Sequence, residues 1–167
     1  YAVGGPGAGQ AQLVKFSQTG NVLTRKWYGG QCEDDIFRSI VETPDEMLII
    51  VGEKSHGNQS FPCAFNFMYY KDVWIVKTRK SGGVEWEQTH GGPYMEMAND
   101  IAPIKSGGYM LIGNKCAHLY DIGSCGQKAK VLIMQIDEEG NNLNDEVVLG
   151  LKWMERIPYY SIATTND

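Results

Sequence analysis

Asp-Val-Trp-Ile-Val-Lys-Thr-Arg-Lys-Ser-Gly-Gly-Val-Glu-Trp-Glu-Gln-Thr-His-Gly-Gly, running from Asp72 to Gly92, reads as a β-hairpin. Two β-branched and aromatic runs, Asp72–Thr78 and Val84–His90, flank a turn at Ser81-Gly82-Gly83, and Gly91-Gly92 ends the second run. Such runs suit a pleated, half-buried surface, and glycine supplies the positive φ that tight turns need.

The same pattern occurs twice more. Lys15 begins a copy ending at Gly30, Lys77 one ending at Gly92, and Gln135 one ending at Gly150, so each spans the same 15-residue interval. A second element repeats in step: Ser39-Ile40-Val41 to Gly52 matches Asp100-Ile101-Ala102 to Gly113. Ser161-Ile162-Ala163 to Asp167 is a third copy of its first half, and Tyr1-Ala2-Val3-Gly4 supplies the second half. Asp167 aligns with Ser106 and Tyr1 with Met110, so about three residues of the repeat lie between the two ends. The chain holds three units in rotated order.

Each unit carries four strand signals bounded by Gly, Pro, Asn or Asp. The first set is Tyr1–Gly4, Met47–Gly52 and Gly108–Gly113. The second is Ala11–Phe16, Asp72–Thr78 and Lys130–Ile136, and the third is Val22–Tyr28, Val84–His90 and Leu143–Leu149. The fourth is Ile36–Thr43, Ala98–Lys105 and Pro158–Thr165. No window sustains a helical apolar period, and Pro103 argues against a helix at the one ambiguous turn.

Composition narrows the function. A chain of 167 residues with 43% hydrophobic and 21% charged residues builds one domain with a sizeable core. Its net charge of −5 and lack of a basic stripe exclude a nucleic-acid footprint. Its apolar runs fall far short of the roughly 20 residues a membrane span needs. A start at Tyr1 without a signal peptide points to a processed chain or an excised fragment.

Four antiparallel strands recurring every 50 to 60 residues are the signature of β-propeller blades. The spacing Asp72-x-Trp74 to Trp86 and Gly91-Gly92, followed by Gly107-Gly108-Tyr109-Met110-Leu111-Ile112-Gly113, resembles a propeller repeat of secreted and surface proteins. The resemblance implies an all-β, propeller-like fold: one segment, residues 1–167, with blade repeats at roughly 1–46, 47–107 and 108–167. The third copy departs from the pattern, with Gln135 in place of Lys and Val147-Val148 where Trp27-Tyr28 stand. Three blades are too few to close a ring, for which four to eight is typical. Either the chain is a fragment of a longer array, the favoured expectation, or further copies complete the ring.

The loops between first and second strands and between third and fourth strands share one face. Two of them are long, Glu53–Lys71 and Asn114–Gln127, and long loops in a compact domain usually carry function. The expected binding residues are therefore His56, Phe61, Phe65, Phe67, Tyr69, Tyr70, His118 and Tyr120. Clustered aromatics there suit a glycan or protein patch, or else fold the loop onto the sheet edge. Solvated loop histidines are the plainer reading of His56 and His118, which lack metal-ligand spacing. Cys116 and Cys125 lie nine apart in one loop, and Cys32 and Cys63 lie in neighbouring loops on the same face. Both disulfides are plausible, three pairings are open, and free thiols are the alternative. Asn58-Gln59-Ser60 is a glycosylation sequon. The tryptophans, Trp27, Trp74, Trp86 and Trp153, are read as packing between sheets.

No nucleophile motif, calcium loop or phosphate cradle emerges, so no catalytic residue, metal ligand or cofactor is assigned. The expectation is an extracellular or cell-surface interaction module with a protein or glycan partner, plus further blades or another copy of the chain. The alternative is a propeller enzyme, glycan-active or of the quinoprotein-dehydrogenase kind, because Ser81-Gly82-Gly83-Val84-Glu85-Trp86 resembles the docking repeat of those propellers. Only Trp86 occupies the docking position, where Thr24 and Asn144 stand in the other copies.

Overall fold

The computed structural model describes residues 1–5, 9–30, 34–56, 70–92, 95–116, 129–144, 147–150 and 160–165. These form eleven strands and no helix. The strands are β1 (Ala2–Gly4), β2 (Ala11–Phe16), β3 (Val22–Tyr28), β4 (Ile36–Glu42), β5 (Met47–His56) and β6 (Tyr70–Arg79), followed by β7 (Val84–His90), β8 (Met95–Pro103), β9 (Tyr109–Cys116), β10 (Ala129–Ile136) and β11 (Val147–Gly150). Each pairs antiparallel with its neighbour in sequence, giving three sheets: β1-β2-β3, β4-β5-β6-β7 and β8-β9-β10-β11. The opening hairpin is β6 and β7, closed by Arg79 N to Gly83 O at 2.9 Å and Gly82 N to Arg79 O at 2.8 Å.

The sheets run one strand ahead of the sequence repeat. β4 and β8, last in their units by alignment, pair with β5 and β9, the first strands of the next units. Both pairings carry the same irregularity, a register shift between Phe37 and Ser39 and another between Ala98 and Asp100. Arg38 and Asn99 are therefore the extra residues of two equivalent β-bulges. Pro158–Thr165 was expected to be a third strand of this kind. Its described part, 160–165, lies in no ladder but is tied to β8 by Ile162 N to Asp100 Oδ2 at 2.9 Å.

Strand alternation explains the packing. Along β5, Leu48 and Ile50 point to one face and Ile49 and Val51 to the other, and all four are buried. A strand covered on both faces reads as a continuous apolar run, which is what Leu48–Val51 is. Leu48 and Ile50 join Ala11, Leu13, Tyr28, Phe37, Trp74 and Val76 between the first and second sheets. Ile49 and Val51 join Val73, Ile75, Ile101, Leu111, Leu132 and Met134 between the second and third. Fully burying an aliphatic side chain of this size contributes roughly 1.5–3 kcal/mol, so these two layers hold the sheets face to face.

The hairpin turns lock this stacking. The Tyr28 hydroxyl donates to the Gly82 carbonyl at 2.9 Å, and His90 Nε2 donates to the Gly140 carbonyl at 2.8 Å. Tyr28 and His90 occupy the same repeat position, as do Gly82 and Gly140, so one contact is made at both seams. Trp86 covers Gly140, where an added Cβ would meet its ring at 2.6 Å. Trp74 is buried, stacks on Phe37 at 4.7 Å between centroids and donates from Nε1 to Glu87 at 3.1 Å. Trp27 departs from the inter-sheet reading: it is 49% exposed, on the face of β3 that meets no second sheet among the described residues. Trp153 lies outside them.

Candidate functional site

The end of β1, the start of β4, the middle of β8 and residues 160–161 enclose a cavity of about 470 Å³. Ile36 and Phe37 give it an apolar wall, and Gly4 and Gly5 offer bare backbone on one side. Its polar lining comes from Arg38, Asn99, Asp100, Tyr160 and Ser161. Positions 38, 99 and 160 are spaced 61 apart and equivalent in the three units, and two of them are the bulge residues. A bulge re-aims a side chain out of the pleat, and here it puts Arg38 and Asn99 on the cavity wall.

Asp100 organises the inner edge. It accepts from Ser39 Oγ at 2.5 Å, Ile101 N at 2.9 Å and Ile162 N at 2.9 Å. Ser39, Asp100 and Ser161 are themselves equivalent positions, again spaced by 61, so three units meet at one carboxylate. Burial pushes the Asp100 carboxyl up, but the hydrogen bonds from Ser39, Ile162, Ile101 and Ser161 outweigh it and hold it below the usual carboxylate range.

Behind Arg38 lies a buried ionic chain. Arg38 Nη2 reaches Glu53 Oε2 at 2.9 Å, Lys71 Nζ reaches Glu53 Oε1 at 2.5 Å, and Lys71 Nζ also reaches Asp34 Oδ2 at 3.0 Å. Glu53 is 1% exposed, so both cations are needed to hold its charge out of water. Asp35, fully buried, accepts from Ser55 N at 2.8 Å and Gly30 N at 3.2 Å, while Ser55 Oγ donates to the Asp34 carbonyl at 2.8 Å. This network fixes the start of β4 and hence the guanidinium at the rim. Glu53 neutralises Arg38, so the charge left in the cavity lining is the Asp100 carboxylate.

Of the residues expected from sequence, His56 and Tyr70 are brought together: they close the β5–β6 ladder as its last register pair. The expected long loop from Glu53 is therefore shorter, because β5 runs through His56 and β6 starts at Tyr70. Phe61, Phe65, Phe67, Tyr69, His118, Tyr120, Asn58, Cys32, Cys63 and Cys125 lie outside the described residues. Cys116 was expected in a loop. It instead ends β9, opposite Ala129 and Met95, is 2% exposed and is disulfide-bonded. Its partner lies outside the described residues.

Arg38, Asn99, Tyr160 and Ser161 were missed by the sequence reading. The signal was available, since the alignment of Ser39 with Asp100 and Ser161 puts all of them at matched positions. No carboxylate, cysteine and histidine cluster able to hold a metal ion occurs among the described residues. No helix among them is long and apolar enough to cross a membrane. Comparison of the chain with protein-family models returns no match, and neither does comparison with curated proteins.

Proposed function

We propose that the three sheets are blades of a β-propeller and that the chain is an extracellular or cell-surface binding module. Its ligand is a glycan, taken at the cavity between the inner strands. The observation that carries this reading is the convergence of Arg38, Asn99, Tyr160 and Ser161, from three successive units, on a cavity with an apolar wall of Ile36 and Phe37. A pyranose presents hydroxyls around its edge and C–H groups on its faces. A guanidinium, an amide and hydroxyls beside apolar surface match that mixture, and about 470 Å³ falls within the range of small-ligand sites. The Cys116 disulfide supports an oxidising compartment.

The test is a glycan array probed with the labelled chain, followed by calorimetry on the best hit. Asn99→Ala and Tyr160→Ala should each weaken binding about tenfold or more, equivalent to roughly 1.4 kcal/mol. Absence of any saturable glycan binding, or binding indifferent to both substitutions, would refute the assignment.

A further inference from the structure

The lining of the cavity is not electrically even, although equivalent positions build it. Ser39, Asp100 and Ser161 hold one repeat position, and of the three only Asp100 carries a charge. Arg38, the only cation among the described residues that line the cavity, belongs to the chain Arg38, Glu53, Lys71 and Asp34. There two cations meet two carboxylates within 3.0 Å, and the charges sum to zero. Burial raises the pKa of the Tyr160 hydroxyl, which is therefore uncharged at neutral pH. Asp100 stays ionised for a geometric reason: Ser39 Oγ donates to it at 2.5 Å, and Ile101 N and Ile162 N each at 2.9 Å. Donors in that number suit the carboxylate and not the acid.

The hydroxyls carry the same polarity. Ser39 Oγ directs its single hydrogen to Asp100, and Ser161 Oγ does so too. Each then offers lone pairs alone to a group that approaches it. Ser161 is exposed on the cavity wall, and Asp100 behind it is half-buried. An acceptor-only oxygen backed by a carboxylate favours a donor that bears positive charge, and it repels an anion.

We infer that the glycan taken at this cavity carries a free amino group, held as the ammonium against Ser161 in the field of Asp100, and that sugars bearing a carboxylate are excluded. The inference rests on the glycan reading given above and names the substituent that reading leaves open. An ammonium has three donors and no acceptor, so it satisfies Ser161 Oγ without leaving a lone pair against the carboxylate. The rest of the ring keeps the contacts of a neutral sugar, with Ile36 and Phe37 against its C–H face. An N-acetyl group loses the charge, and a carboxylate sets acceptors where lone pairs already stand. At an effective dielectric of about 20, opposite charges several ångströms apart favour binding by well over tenfold, and tenfold is what remains after allowance for solvent screening.

The test is a glycan array carrying glucose, galactose and mannose series, each sugar printed in its neutral, 2-amino, 2-N-acetylamino and 6-carboxylate forms, with calorimetry on the forms that bind. In slightly acidic buffer the 2-amino form should bind at least tenfold tighter than the neutral and N-acetyl forms, and the 6-carboxylate should not saturate. Asp100→Asn, checked for the parent circular dichroism spectrum, should reduce that preference to about twofold or less. Because Asp100 also ties the units together, the ratio is measured on the unaltered chain as well, while pH rises until the amine is uncharged. Asp100 remains ionised throughout that range, since its pKa lies below the usual carboxylate range, so the preference should fade with the charge of the ligand. Neutral or carboxylate forms bound as tightly as the amine, or a preference unmoved by both Asp100→Asn and high pH, would overturn the amine assignment and leave the glycan reading standing. No saturable binding in any series would remove both.

Discussion

Gly113→Ala tests whether the bulged inner strand is fixed by glycine. The new methyl would lie 1.9 Å from the Met97 carbonyl oxygen, 2.9 Å from its carbonyl carbon and 3.0 Å from Ala98 Cα. All three are backbone atoms, so no side chain can turn away, and β8 must move by more than an ångström relative to β9. Overpacking a tight site costs about 1–3 kcal/mol. Opening the ladder next to the bulge removes one or two hydrogen bonds at about 1 kcal/mol each. The sum is about 3 kcal/mol, which for a domain of this size lowers Tm by about 10 °C. Differential scanning calorimetry of Gly113→Ala, Gly52→Ala and Gly4→Ala provides the assay. The first two should fall together and the third should stay within a degree or two of the parent. Equal loss at all three, or none at Gly113, would refute the account of the bulge.

Other perturbations separate the remaining contributions. Tyr28→Phe removes the hydroxyl that donates to Gly82 and should cost about 1 kcal/mol, read as a Tm loss of about 3 °C. Lys71→Met leaves Glu53 buried with Arg38 as its remaining cation and should cost about 2–3 kcal/mol by urea unfolding, with an unchanged m-value. Asp100→Asn weakens the junction of the three units. Because the folded Asp100 carboxyl lies below its unfolded value, its stabilisation is present above the ordinary carboxylate range and disappears as pH falls through the folded pKa. The stability gap between the parent chain and Asp100→Asn should therefore be largest near neutrality and close in acid, as followed by denaturant melts across pH.

Most of the fold was legible because a strand announces itself locally. Ala11–Phe16, Val22–Tyr28 and Val84–His90 coincide with β2, β3 and β7 to the residue. Errors arose where apolar pattern gives out before the hydrogen bonds do. β5 continues through Glu53-Lys54-Ser55-His56 because Glu53 and Ser55 are satisfied by Lys71 and Asp34 from elsewhere in the chain. Such long-range pairing leaves no trace in a window of neighbours, and it turned both ends of the expected loop Glu53–Lys71 into strand. The grouping of strands into sheets was likewise hidden, since periodicity does not say whether β4 pairs backward or forward. The site was less visible still. Arg38 and Asn99 read as ordinary strand residues, and only the bulges turn them toward the cavity. Trp27 resembled a packing residue, yet its face meets no second sheet among the described residues.

The most direct test of the binding site is a titration followed by two-dimensional ¹⁵N–¹H NMR, using the glycan identified on the array. The account predicts that the Asn99 side-chain amide and the backbone amides of Arg38 and Ser161 shift together, with one dissociation constant. Shifts confined to the opposite face, at the turns Arg79–Gly83 and Asp137–Asn141, would contradict it.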